Sequence, residues 1–153
     1  MSAGPHAKLA ELGLTIPEVV PPVAAYVPAV RSGQHVYLSG QLPIADGKLL
    51  ATGKVGAAVS AEEAKDLARQ CALNAIAAID SVSGLDNVVR IVKVTGFVAS
   101  APGFTGQPAV MNGASELFGA VFGEAGRHAR TAVGVAELPL DAPVEVEVIV
   151  EVA

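Results

Sequence analysis

Few residues in this chain can do polar chemistry, so each can be weighed against its plainest structural use. Arg130 follows the segment GEAGRHA and opens an apolar stretch. A guanidinium placed there is a rigid fork that can hold a small carboxylate through two parallel hydrogen bonds; its plainer use is a surface or interface ion pair. Glu145 opens the last apolar stretch, beyond a turn built on Pro139 and Pro143. If the strands on either side of that turn are antiparallel neighbours, Arg130 and Glu145 meet on one sheet face. The carboxylate can then orient water or carry a proton while the guanidinium holds a substrate. The alternative is that Glu145, with Glu147 two residues on, only polarises an exposed strand face. Ser39 and Gly40 end the segment HVYLSG; Gly40 either lets a ligand approach the backbone closely or marks a turn.

The remaining candidates are weaker. His6, His35 and His128 have no metal-ligand spacing; His128, close to Arg130 in sequence, is either a plain surface residue or an influence on the Arg130 entrance through its charge. There is no Gly-x-Ser-x-Gly elbow, no phosphate-binding glycine-rich Lys-Ser/Thr loop and no dinucleotide fingerprint. Cys71 is the one cysteine, which rules out an intrachain disulfide and a thiolate metal cluster and leaves core packing as its simplest use.

These residues sit in a chain that is 52% hydrophobic and 16% charged, with 153 residues and a mean hydropathy of +0.51. Such a chain has the apolar content for one packed domain and is not a disordered tail. Residues 94–115 carry no charge, but glycines, prolines and polar side chains interrupt them, so they do not form a lipid-facing helix. The first residues lack the apolar run of a secretory signal, and a cytoplasmic location is expected. The net charge is −5, with ten Lys and Arg in total. These are scattered and offer no track for a phosphate backbone, so nucleic acid is not the expected partner and neither is a membrane. Apolar surface in excess of one small core points to self-association, the plainer alternative being that the excess is mostly Ala and Val filling an ordinary core.

Local patterns predict the elements that must position the site. Residues 1–22 read as an N-terminal arm with a short helix over 7–12, loosely packed and broken by Pro17, Pro21 and Pro22; residues 23–153 read as a single domain. An extended segment over 23–30 contains Tyr26. Residues 35–42 read as a strand that the turn Ala45-Asp46-Gly47 returns into residues 48–51 as a hairpin. Ser60 and Glu63 form a capping box that starts a helix, with Ala64, Ala68, Cys71, Ala75, Ile79 and Val82 as its apolar stripe. Residues 87–99 read as a β-branched strand in the middle of the sheet, and Pro108 opens a second helix reaching Glu124. Strands over 130–137 and 144–150 close the chain. The order predicts an α+β domain, a sheet with two helices on one face and the other face left for another chain to cover.

The segments YLSGQLP, NGASELF, HARTAVGVAELP and VEVEVIV resemble the reactive intermediate deaminase (Rid, or YjgF) family, also called endoribonuclease L-PSP-like, over about residues 26–150. The resemblance implies a chorismate-mutase-like fold with a mixed sheet, and a homotrimer with a central barrel and clefts between subunits. It implies hydrolysis of reactive 2-imino (enamine or imine) carboxylates to 2-keto acids and ammonia without cofactor or metal. Arg130 matches the family's carboxylate-binding arginine and Glu145 the acid that positions water. Tyr26, Ser39, Gly40 and Asn112 match substrate-binding positions, and Ala132 stands where cysteine is frequent, leaving its backbone for a hydrogen bond. The proline-rich arm and the longer connections KLLATGKVGAAVSA and SAPGFTGQP depart from the compact members and mark a longer-chain branch. Two other functions compete: capture of a 2-keto acid or similar carboxylate without catalysis, for which Glu145 is dispensable, and the historical ribonuclease or translation-inhibitor reading, which the acidic charge disfavours.

Overall fold

The computed structural model describes residues 3–153. Its centre is a five-stranded mixed sheet, built from β1 (Ala29–Ser32), β2 (His35–Leu38), β5 (Val88–Ala99), β6 (Ala129–Val135) and β7 (Val144–Val152) in the order β1-β2-β7-β5-β6. Along β7, Val144, Val146, Val148, Val150 and Val152 are buried, whereas Glu145, Glu147, Ile149 and Glu151 point the other way. The period-two alternation thus sorts a core face from an open face. β7, rather than β5, is the middle strand.

Two helices cover the core face. α2 (Ala61–Ser83) begins at Ser60, whose Oγ accepts a hydrogen bond from the Glu63 backbone N–H at 3.1 Å, the first half of the expected capping box. Ala64, Ala68, Cys71, Ala75 and Ile79 are buried as the stripe requires, but Val82, in the last turn, is largely exposed. α3 (Gln107–Phe122) starts with Pro108 in its first turn, where a missing N–H costs nothing. It ends at Phe122, and residues 123–126 form a separate 3-10 turn.

Glycine sets how closely these layers approach. A methyl group at Gly113 would run into the Lys65 carbonyl oxygen of α2, and one at Gly96 of β5 into the Met111 side chain of α3. Since the obstacle at Gly113 is backbone, Gly113→Ala is expected to cost about 1–3 kcal/mol, seen as a lower urea midpoint at an unchanged m-value.

Two local expectations are corrected. The arm is not loose: α1 (Pro5–Glu11) inserts Leu9, 2% exposed, into the core, and Leu14 and Ile16 pack against it. The turn at Asp46-Gly47 does form, with positive φ at both residues as a two-residue hairpin turn requires. It joins β3 (Ile44–Ala45) to β4 (Lys48–Leu49), a separate two-stranded sheet. The long strand expected over 35–42 pairs instead with β1 and β7. Asn74, buried on α2, donates to the Leu42 and Ile44 carbonyl oxygens and ties that small sheet to the helix.

Among the described residues no helix packs across the second sheet face. Val30, Tyr37 and Ile149 form a row across β1, β2 and β7, and Phe97 and Val133 another across β5 and β6. Tyr37 is 48% exposed and Val133 40%. Beyond β6 the sheet also has an unpaired edge.

Candidate functional site

The residues singled out in the sequence fall into two groups. Tyr26, Ser39, Gly40 and Glu145 line one cavity of about 50 Å³, walled by Val20, Pro22, Leu42 and Pro139, which has room for a handful of water-sized groups. A change of register builds it. Between the pairs Tyr37↔Ile149 and Gln41↔Val146 the β2 side advances four residues and the β7 side three, so one extra residue bulges out at Ser39-Gly40. The Ser39 hydroxyl donates to the Val27 carbonyl oxygen at 2.6 Å, and its N–H to that of Pro28 at 2.9 Å. These bonds hold the segment carrying Tyr26 over the bulge. The Tyr26 hydroxyl accepts from the Val23 N–H at 3.3 Å.

Glu145 occupies the space that Gly40 leaves. A Cβ at position 40 would stand 2.6 Å from the Glu145 Oε2. Burial, and secondarily the negative charge of Glu147, push the Glu145 carboxyl above the usual carboxylate range. Gly40→Ala is therefore expected to displace the carboxylate at little cost in stability, since the obstacle is the end of a flexible side chain. If Glu145 handles the proton, kcat falls roughly 10- to 100-fold, measured beside an unchanged unfolding midpoint.

Arg130, Asn112 and Ala132 form the second group. Arg130 Nη1 donates to the Asn112 Oδ1 at 2.9 Å and the Ser115 Oγ at 3.2 Å, and Nη2 donates to the Pro108 carbonyl oxygen at 3.2 Å. Pro108, Asn112 and Ser115 are spaced four and three residues apart, which places them on one face of α3. Three of the five guanidinium N–H groups are thereby committed. The N–H on Nε and one on Nη2 have no partner among the described residues and remain for a ligand. Ala132, half-buried, follows on the same side of β6.

Here the sequence expectation is corrected. The strands of Arg130 and Glu145 are not neighbours: β5 lies between them, parallel to β6 and antiparallel to β7. Arg130 pairs across β5 at Val94 and Glu145 at Phe97. Val94 is buried beneath the helices and Phe97 is on the open face, so the two side chains leave opposite faces of the sheet. The reason is the α3 crossover, which brings β6 parallel against β5, while β7 is inserted on the other side of β5. One chain thus carries the two groups apart.

Sequence reasoning passed over Ser115 and the Pro108 carbonyl; their spacing with Asn112 was the available signal. The apolar wall from Val20 to Val23 had none, because an irregular proline-rich segment has no period to read. Cys71 is fully buried, and burial pushes its thiol well up, so it stays protonated and packs. Among the described residues no group of His, Cys, Asp and Glu is arranged to hold a metal, and no helix is long and apolar enough to cross a membrane.

A mixed five-stranded sheet with helices on one face, carrying an anchored arginine and a carboxylate beside the Ser39-Gly40 bulge, defines a small α+β protein of the YjgF type. The chain belongs to the family described as Endoribonuclease L-PSP, which it matches over residues 17–152. It is 47% identical over 147 residues to Protein TCP17 of Trypanosoma cruzi, covering 95% of this chain and 92% of that one. It is 33% identical over 138 residues to a 2-iminobutanoate/2-iminopropanoate deaminase of Dermatophagoides farinae, covering 90% and 93%. The solved structure of the Agrobacterium tumefaciens protein Atu1372 superposes with a TM-score of 0.89 at 45% identity, covering 97% of this chain and 91% of that one.

Proposed function

We propose that this chain hydrolyses reactive 2-imino carboxylates to 2-keto acids and ammonia, in a cleft completed by a second copy of itself. The observation that carries this reading is the guanidinium of Arg130, held by α3 through three donors with two left over. A 2-imino acid offers a carboxylate to that pair. The deaminase among its relatives supports the choice of substrate.

The chemistry then asks for little more than orientation and proton transfer. Glu145 accepts a proton as water oxygen bonds to the iminium carbon, giving a tetrahedral carbinolamine. The proton passes to nitrogen, the carbon–nitrogen bond breaks, and ammonia leaves as the carbonyl forms and Glu145 takes up the hydroxyl proton, which passes on to the departing ammonia as ammonium. No cofactor enters these steps. Since Arg130 and Glu145 diverge within one chain, a partner's arginine must face this chain's carboxylate. The open sheet face and the unpaired β6 edge are the surfaces available for that assembly, read here as a homotrimer with intersubunit clefts. The tyrosine, the Ser39-Gly40 bulge, Asn112 and the Ala132 backbone complete the substrate-binding set.

The test is the rate of ammonia release from freshly generated 2-iminopropanoate. Acceleration over the uncatalysed rate supports the deaminase. A native rate equal to the uncatalysed one sinks it, and saturable binding of pyruvate would then favour the carboxylate-capture reading. Cleavage of RNA is disfavoured by the net charge of −5.

A further inference from the structure

His128 precedes Arg130 by two residues and shares the Ser115 hydroxyl with it. Its Nδ1 is 2.6 Å from the Gly126 carbonyl oxygen and its Nε2 is 2.9 Å from the Ser115 Oγ. A carbonyl oxygen only accepts, so Nδ1 carries the hydrogen and Nε2 of the neutral ring is an acceptor. The Ser115 hydroxyl hydrogen must then point at Nε2, and its lone pairs are turned to the Arg130 Nη1–H at 3.2 Å. In that tautomer each bond has one direction. The ring itself is kept from turning by Phe118, which is fully buried and meets it edge-on with centroids 5.9 Å apart.

We infer that His128 is a positioning residue for Arg130, acting through Ser115. Without a directed acceptor behind it, the serine hydroxyl is free to donate to a backbone carbonyl of its own helix turn, as serines in helices do. Its oxygen then no longer faces the guanidinium in one orientation. The other charged groups on the surrounding elements are engaged elsewhere: Glu116 of α3 with Lys65, Glu124 with Arg127 in the 3-10 turn, and Lys93 of β5 with Thr131. The histidine–serine pair is therefore the polar support specific to this side of Arg130, complementing Asn112 and the Pro108 carbonyl.

The inference rests on the reading of Arg130 as the carboxylate anchor, and the experiment separates the two. Pyruvate affinity is measured by calorimetry for the native protein and for the variants Arg130→Ala, His128→Ala, His128→Gln, Ser115→Ala and the double variant Ser115→Ala/His128→Ala. His128→Ala and Ser115→Ala are expected to weaken binding about 5- to 10-fold, in line with loss of one hydrogen bond's support. The double variant should be no weaker than Ser115→Ala alone, because His128 acts only through the serine. His128→Gln, whose Oε1 can accept the same hydroxyl, should recover most of the affinity. In turnover the loss should fall on KM rather than kcat. If Arg130→Ala binds pyruvate as the native protein does, or neither binds it, the anchor reading fails. If Arg130→Ala abolishes binding while His128→Ala changes nothing, or weakens it equally with and without Ser115, the positioning inference is overturned and the anchor stands. Side-chain ¹⁵N NMR of Arg130 gives the same ranking with no ligand: rotation of the guanidinium should quicken in His128→Ala and Ser115→Ala and stay slow in His128→Gln. Unaltered rotation in both alanine variants would count against the inference whatever the calorimetry shows.

Discussion

Replacing Arg130 by alanine is expected to lower kcat/KM for 2-iminopropanoate by roughly 10²- to 10⁴-fold. Two charge-assisted hydrogen bonds to the substrate carboxylate are lost, each worth about 1.5–3 kcal/mol, and a tenfold change corresponds to about 1.4 kcal/mol. Arg130→Lys should restore only a small part of this. An ammonium has no fork, and it cannot satisfy Asn112, Ser115 and the Pro108 carbonyl while also presenting two donors outward. The fold should survive, because Asn112 is exposed and water can replace the arginine there. Steady-state ammonia release, with the unfolding midpoint as control, reads both statements.

Glu145→Gln should act on the other kinetic constant. Glutamine keeps the shape that fills the space beside Gly40 but cannot take up a proton, so kcat is expected to fall about 10²- to 10⁴-fold with a smaller change in KM. The pH dependence follows from the environment of the carboxyl. Burial and Glu147 both raise it, so the active carboxylate appears later as pH rises than for an ordinary glutamate. The acid limb of the native pH–rate profile should accordingly lie above about pH 4.3. Glu147→Gln should move that limb to lower pH, because only the burial contribution remains. A limb that does not move would remove Glu147 from the account of Glu145.

The same shift has a consequence for stability. Between its unfolded and its raised folded value, Glu145 binds more protons in the native state than in the unfolded one. Its contribution therefore turns against folding as pH rises through that window, and stays unfavourable above it. Glu145→Gln should be the more stable protein near neutrality, with the difference vanishing below the ordinary carboxylate range. A site residue that costs stability and is required for turnover is the expected trade at a functional position.

What the sequence determined by itself was local. Ser60 and Glu63 placed the start of α2 because a capping box is read from two residues three apart. The alternation of Val144, Val146 and Val148 with Glu145 and Glu147 said which side of β7 is core, since period two needs no knowledge of neighbours. Asp46-Gly47 specified a hairpin turn for the same reason, through its backbone conformation. The matching blocks around Arg130 and Glu145 carried the candidate site and the family.

Which strands are adjacent followed from long-range packing. Arg130 and Glu145 are separated by one short turn, and adjacency looked natural. The α3 crossover, however, set β6 beside β5, and β7 took the opposite side, sending the two side chains to opposite faces. The Ser39-Gly40 bulge, the detachment of β3 and β4 from the main sheet and the burial of Leu9 were equally invisible, because each depends on a partner distant in the chain. Seating Leu9 in the core is a matter of space left beside α3 and the 3-10 turn Leu85–Asn87, and no pattern within the arm encodes that space. Ser115 and His128 show the same division: their spacing was legible, but the direction of each hydrogen bond required the Gly126 carbonyl, Phe118 and Arg130 to be brought around them.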